Sequence, residues 1–259
     1  MLPMHVATLS TTPIKGFALH HPQSIEVNER GVVGDRDFFL IDDSGSMFST
    51  SKTGELPGFS ASYDQSKQTL ALYENGVALL EEEVRLGEAT SGNFFSVWDV
   101  AGHEVLGPWD QLFSQRLGRP VKMIKAGPDR SGTDVGRLSL ISSRSIQSLQ
   151  ESADIAELDP RRFRMNIEIS GIEAHEEDTW LDQEFTIGSA VIRGGPPVQR
   201  CVATTRNPDT GVVDLKVLKL IKDYRGRQES EFGLGFNFGV YGFCLTPGSI
   251  SVGDTIYQA

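Results

Sequence analysis

A mostly β chain, built of β-barrels with a few helices, is what this sequence predicts, and three observations lead there. Glycine and proline are numerous and scattered, 27 and 12 of 259 residues, which suits many turns between short strands. Apolar runs in the N-terminal part are broken by turn signals, of which the Asn-Gly pair at Asn75-Gly76 is the strongest. Apolar residues at helical spacing begin only near residue 108.

The elements follow in order. "DFFLIDDSGSMFST" is an apolar run, an Asp-Asp-Ser-Gly turn and a second run, which together read as a hairpin. "QTLALYENGVALLEE" repeats the pattern about Asn75-Gly76, and "NFFSVWDVAGHEVLG" adds apolar and aromatic strand material. Residues 1–107 are expected to form a small antiparallel barrel-like domain, with a second domain, 108–259, packed on it. In that second part "PWDQLFSQRLG" sets Trp109, Leu112, Phe113 and Leu117 on a helix stopped by Gly118. "RPVKMIKA" reads as a strand, and the later part of "SLISSRSIQSLQESADIAEL" as a helix capped near Ser142 or Ser143. "LKVLKLIKDYRG" spaces Leu215, Leu218, Ile221 and Tyr224 three apart before a stop at Gly226. "GLGFNFG" reads as a loop, and "FCLTPGSISVGDTIYQ" returns to strand and turn.

Composition narrows the function. A content of 39% hydrophobic and 23% charged residues fits a globular protein with a sizeable core. The net charge of -11 argues against non-specific nucleic-acid binding, which needs a basic surface, but leaves room for one local basic pocket. No apolar run reaches the ~18 residues of a membrane span. The start lacks the pattern of a signal peptide. With two distant cysteines the chain reads as cytoplasmic, its thiols reduced. There is no CxxC or HxxxH for zinc, no Walker loop, and no GxGxxG opening a helix after a strand.

Cys201, in "VQRCVATTRNPDTG", has three open readings: a small core residue, a nucleophile or a metal ligand. Arg200 beside it would favour the thiolate, and flanking turns are where sites gather. Sequence alone leaves His175 available as a partner for a Cys-His pair. Cys244, among aromatic and apolar neighbours, reads as core. Three further places set cations in unusual company. Lys15 stands beside a glycine in "PIKG", and Arg36 between glycines and the hairpin in "GVVGDRDF". In "DPRRFRMNIEISG", Arg164 and Asn166 alternate with apolar residues, so on a strand they would share one face. Such a face suits a phosphate or a heterocycle edge, or else a solvated salt-bridge surface.

In this order the pieces "PIKG", "GDRDFFLIDDSG", "LGRPV", "FRMNIEISG", "EDTW", "RCVATTRNPDTG" and "PGSISVGD" resemble the MOSC superfamily, the molybdenum cofactor sulfurase C-terminal domain. The form is the one with its own N-terminal β-barrel, similar to the amidoxime-reducing component family. The resemblance implies a MOSC β-barrel domain carrying the molybdenum cofactor, Mo-molybdopterin, with Cys201 as the metal's thiolate. It assigns Lys15, Arg36, Arg164, Asn166 and Arg200 to the phosphate and pterin. It further implies oxo transfer from a small N-hydroxylated or N-oxide substrate. With no second redox centre visible, a separate electron-transfer protein of flavin reductase, ferredoxin or cytochrome type is expected. No membrane or nucleic-acid partner is expected. Two other functions are compatible: a sulfur carrier using a Cys201 persulfide, or a protein that binds the cofactor without turnover. The chain departs from the family pattern at Gly16, where a serine is common, and at Ser49–Lys52, "STSK" in place of a "TARQ"-like run. It shows neither the membrane anchor of the mitochondrial forms nor a ferredoxin-like tail.

Overall fold

The computed structural model describes residues 3–230 and 232–258. Its strands build two main sheets and two small ones, with three α-helices.

In the N-terminal unit a five-stranded sheet runs in the order Met47–Phe48, Phe38–Asp42, Val121–Ala126, Trp98–Leu106, Arg85–Phe94. A meander of Phe59–Asp64, Thr69–Glu74 and Val77–Glu83 lies beside it. The run Phe38-Phe39-Leu40-Ile41 is apolar throughout because both faces of its strand are covered. Phe38 and Leu40 join Phe17, Phe59, Leu72, Trp109 and Phe113 in one cluster, while Phe39 and Ile41 meet Met47, Phe94 and Ile124 in another. Asn75 and Gly76 both have positive φ, 49° and 79°, as the predicted two-residue hairpin turn requires.

The C-terminal sheet is seven-stranded and barrel-shaped, in the order His5–Leu9, Ile167–Ser170, Leu138–Ser142, Asn237–Thr246, Ala190–Gln199, Glu184–Ile187, Ile256–Gln258. A bridge between His5 and Thr255 nearly closes it. Its interior holds Val6, Leu140, Ile169, Phe185, Ile192, Val240 and the buried thiol Cys244, as expected for that cysteine. Helix α1, Trp109–Leu117, buries Trp109, Phe113 and Leu117 along one stripe and ends at left-handed Gly118. Helix α2, Ser143–Ser152, is capped by the Ser142 hydroxyl, which accepts from the Arg144 and Ser145 amides. Helix α3, Val217–Arg225, buries Val217 and Ile221, and with α2 covers the outer face of the second sheet.

Three expectations are corrected. The N-terminal unit is not built from residues 1–107 alone. Strand His5–Leu9 pairs with Ile167–Ser170, and Ser24–Asn28 pairs with Gly248–Ser251, so the chain begins inside the second unit. In the other direction α1 and Val121–Ala126 stay with the first unit, so the crossover follows residue 126 rather than 107. The last three residues of "GLGFNFG" are not a loop but the start of the central strand Asn237–Thr246. Gly239 is the reason a glycine-rich run can serve there. Its φ is 75°, and a Cβ would meet Met165 Cε at 2.7 Å and Leu140 O at 2.8 Å.

Candidate functional site

Between the two units lies a cleft of about 820 Å3, its open mouth included, and Lys15, Arg36, Arg164, Asn166, Arg200 and Cys201 all line it. Residues far apart in sequence arrive there because the N-terminal segment crosses both units. The Lys15 amide donates to Phe38 O at 2.8 Å, and the Arg36 amide to Thr12 O at 2.6 Å. Gly16 turns the chain with φ 94°, where a Cβ would meet Leu56 Cδ1 at 2.8 Å. The family's serine would be strained at this position. At the Ser49–Lys52 departure, Ser49, Thr50 and Ser51 line the cleft, while Lys52 turns outward to Asp42 at 2.9 Å.

Arg164 and Asn166 do not share a strand face. Arg164 ends a 3-10 turn, Pro160–Phe163, in the left-handed region at φ 54°, and the strand starts only at Ile167. The turn is fixed by Asp159, whose side chain caps it. Both side chains still reach the cleft, by different routes. Asn166 is 2% exposed, and its amide donates to Ser10 O at 3.1 Å and to Asp35 at 3.0 Å. Its carbonyl accepts from Ser139 Oγ at 3.1 Å, so no amide hydrogen is left to offer a ligand.

Sequence reasoning missed two carboxylates that organise these cations. Asp35 is fully buried and accepts from the Thr12 amide at 2.8 Å, from Asn166 and from Arg36. Asp134 takes Lys15 Nζ at 2.6 Å. Asp35 could have been suspected from its place between Gly34 and a basic residue, but nothing in the local sequence marks Asp134. Against these two acids stand four cations, Lys15, Arg36, Arg164 and Arg200, leaving the cleft two positive charges in excess. Arg162 is separately paired with Asp214 at 2.8 Å.

The excess sits on Arg164 and Arg200, neither of which has a carboxylate partner among the described residues. The Arg164 guanidinium donates only to Phe17 O, at 2.6 Å, among the described residues. Arg200 clamps the Phe238 and Phe163 carbonyls, each at 2.8 Å, and Met165 Sδ. Burial, aided by Arg36, lowers the Arg164 pKa to about 9, and burial lowers that of Arg200 to about 10. Burial first, then the charges of Arg36 and Arg164, holds Lys15 below its ordinary value despite the Asp134 pair. An acidic protein has thus gathered part-buried, uncompensated positive charge at one place.

Cys201 stands at the mouth, exposed, as the residue leading into the 3-10 turn Val202–Thr205. Arg200 does pull the Cys201 thiol towards the thiolate, as expected, but it does not prevail. The residue meets solvent on one side, yet crowding by the cleft walls pushes the thiol above its ordinary value. The Ala203 amide pulls the other way, and Arg200 is a weaker influence than the opposing charge of Asp134. The Arg200 guanidinium is turned to Phe163 and Phe238, so adjacency in sequence is not adjacency of charge. A bound cation would reverse this balance and draw the proton off.

His175 does not line the cleft, which removes the Cys-His reading. Its Nε2 lies 3.1 Å from Tyr224 OH, and its ring meets Phe238 edge-on. Burial first, then Arg225, lowers its pKa to about 4 against the pull of Asp178. Unfolded, the imidazole takes its proton near pH 6.5; folded, it resists until about pH 4. Stability from this residue is therefore complete above pH 6.5 and lost as pH falls towards 4, by up to roughly 3 kcal/mol. Subtracting the pH-stability curve of His175→Phe from that of the wild type should show this slope; a flat difference would reject the assignment.

Two family models match the chain: MOSC N-terminal beta barrel domain over residues 4–120 and MOSC domain over 127–257. The chain belongs to the MOSC family. Human mitochondrial amidoxime reducing component 2 is 42% identical to this MOSC protein over 100 residues, 37% of this chain and 29% of the relative. Human mitochondrial amidoxime-reducing component 1 is 27% identical over 250 residues, covering 88% of this chain and 73% of the relative. Molybdenum cofactor sulfurase from Oryza sativa subsp. japonica is 24% identical over 278 residues, 91% of this MOSC chain but 32% of the sulfurase. The match spans only 29% and 38% of the component 2 proteins of Homo sapiens and Macaca fascicularis.

Proposed function

We propose that this MOSC protein is a molybdenum-cofactor oxidoreductase that removes oxygen from N-hydroxylated or N-oxide compounds. The observation that carries the reading is the pair of part-buried guanidiniums, Arg164 and Arg200, without carboxylate partners in the cleft that has Cys201 at its mouth. A phosphate-bearing cofactor would supply the missing anion, and an exposed soft thiol suits its metal, so the residues present fit the group. Lys15, Arg36, Arg164 and Arg200 would hold the phosphate and pterin, and Cys201 would ligate molybdenum. Asn166, its donors spent, positions Arg36 through Asp35. When bound, the cofactor supplies the two-electron centre that accepts the substrate oxygen.

The overall change takes two electrons and two protons per N–O bond, releasing the reduced nitrogen compound and water. The electrons would come from a separate flavin reductase, ferredoxin or cytochrome-type protein. The reading keeps the chain in the cytoplasm, although several relatives bear mitochondrial names. No helix among the described residues is long and apolar enough to cross a membrane.

The test is metal analysis of protein made in a cofactor-competent host, followed by reduction of a hydroxylamine-type substrate with an artificial donor. Molybdenum should co-purify, and Cys201→Ala should lower turnover by at least about 100-fold. Absence of molybdenum, or a Cys201→Ala variant that behaves as wild type, would sink the proposal. The exposure of Cys201 and the likeness to a sulfurase favour one second reading, a persulfide carrier. Persulfide confined to Cys201 after incubation with a cysteine desulfurase and cysteine, seen by mass spectrometry, would support it.

A further inference from the structure

Phe95 is the one aromatic residue on the cleft wall that is both strained and half in solvent. It lines the same cavity as Cys201, yet it is 48% exposed. It sits in the hairpin turn between Arg85–Phe94 and Trp98–Leu106, closed by the Val97 amide on Phe94 O at 3.0 Å. Both central residues are left-handed, Phe95 at φ 57° and Ser96 at φ 59°. That turn type favours Asn-Gly, and a bulky side chain there is a genuine outlier. The contrast lies within the same unit, where Asn75-Gly76 fills the equivalent turn without strain.

The packing of the ring does not explain the strain, because half of it faces water. What the turn achieves is placement. Trp98 lies 6.0 Å from Phe95, edge to face, and Phe232 of the other unit lies 6.3 Å beyond it. Arg130 covers Trp98 at 4.9 Å. The interior of the cleft is cationic, while Phe95 at its edge leads onto an aromatic cluster that both units supply and that Arg130 flanks. Exposed apolar rims on a cleft mark contact with a partner or ligand. The small scale of this one, and its continuity with the cavity, point to a small molecule.

We propose that Phe95, backed by Trp98 and Phe232, is a stacking subsite that selects substrates whose reducible nitrogen carries a flat aromatic group. This rests on the proposed function, because it takes the cofactor to fill the cationic interior and the substrate to enter by the rim. The aromatic group lies against Phe95 while the N–O end points inward to Cys201. The Phe95 backbone strain is then the conformation that aims the ring.

The experiment uses full-length protein loaded with molybdenum cofactor and two probes, benzamidoxime and acetamidoxime. Binding is followed without an electron donor by tryptophan fluorescence, turnover with an artificial donor by KM. Trp109 and Trp180 are 0% and 3% exposed, so quenching by a probe reports on Trp98. Benzamidoxime should bind about tenfold more tightly than acetamidoxime, and Phe95→Ala should erase that ratio while Phe95→Tyr keeps it. Val97→Ala, beside it on the turn, should leave the ratio intact, and molybdenum content should match the wild type in all three variants. A ratio that survives Phe95→Ala overturns the subsite, and so does equal loss for both probes. A rim that serves a protein partner would produce the first of these results. Failure of the functional reading looks different: no molybdenum and no reduction of either probe. The fluorescence of Trp98 still reports on the rim in that case, and no quenching by benzamidoxime rejects it.

Discussion

Gly211→Ala will melt well below the wild type, by about 6–12 °C, corresponding to roughly 3 kcal/mol in a chain of this size. Gly211 has φ 68°, and a Cβ built on it would stand 1.6 Å from Gly54 O and 2.5 Å from Gly54 C. Those are backbone atoms of the other unit, which cannot swing aside as a side-chain tip would. The loop around Gly211 is otherwise rigid. The Asn207 side chain accepts from the Asp209 and Thr210 amides at 2.9 and 3.1 Å. Arg206 donates to Thr50 O at 2.7 Å and to Gly211 O at 3.1 Å. Relief must come from parting the Cys201 loop from the Ser49–Ser51 wall, so cofactor retention should fall along with the melting temperature. Gly45→Ala is the control, with φ 76° and nothing within 4 Å of its Cβ, and carries only the backbone strain. If both variants melt together, the close approach of Gly54 and Gly211 is not what holds the cleft shut.

The same loop shows what could be read in the sequence and what could not. Asn207-Pro208-Asp209-Thr210-Gly211 announces a turn because each residue type there has a local reason to bend the chain. Asn75-Gly76, the Ser142 cap and the stop at Gly118 were legible for the same reason, since their causes lie within four residues. Where partners are remote, local reasoning misled. The alternation Phe163-Arg164-Met165-Asn166-Ile167 has the period of a strand, but the Asp159 cap and a left-handed Arg164 overrule it until Ile167. Arg200 reads as the activator of Cys201, yet the Phe163 and Phe238 carbonyls and Met165 Sδ, all remote in sequence, claim its guanidinium. Asp134 meets Lys15 across 119 residues, a distance no motif spans. The cleft residues each stand out locally, as cations beside glycines or a thiol beside an arginine, but only family order places them in one site.

Arg164→Met should separate binding from folding by opposite signs. In the cofactor-free protein, Arg164 is a part-buried charge with no ion-pair partner among the described residues, and its pKa of about 9 reflects a penalty of roughly 4 kcal/mol for keeping the proton. Methionine removes that penalty and keeps most of the volume. It also loses one hydrogen bond to Phe17 O, worth about 1–3 kcal/mol when made by a charged donor to a buried carbonyl. The strained φ of 54° is common to both chains and cancels. The balance leaves the cofactor-free variant about 1–3 kcal/mol more stable than the wild type. Cofactor content should move the other way, since a guanidinium contacting phosphate is lost, with affinity falling about 10- to 100-fold. Thermal melts of cofactor-free protein and molybdenum content after gel filtration read the two effects separately. A structural arginine would give a destabilised variant that keeps its cofactor. Only an arginine held in reserve for an anion gives a stable protein that cannot retain one.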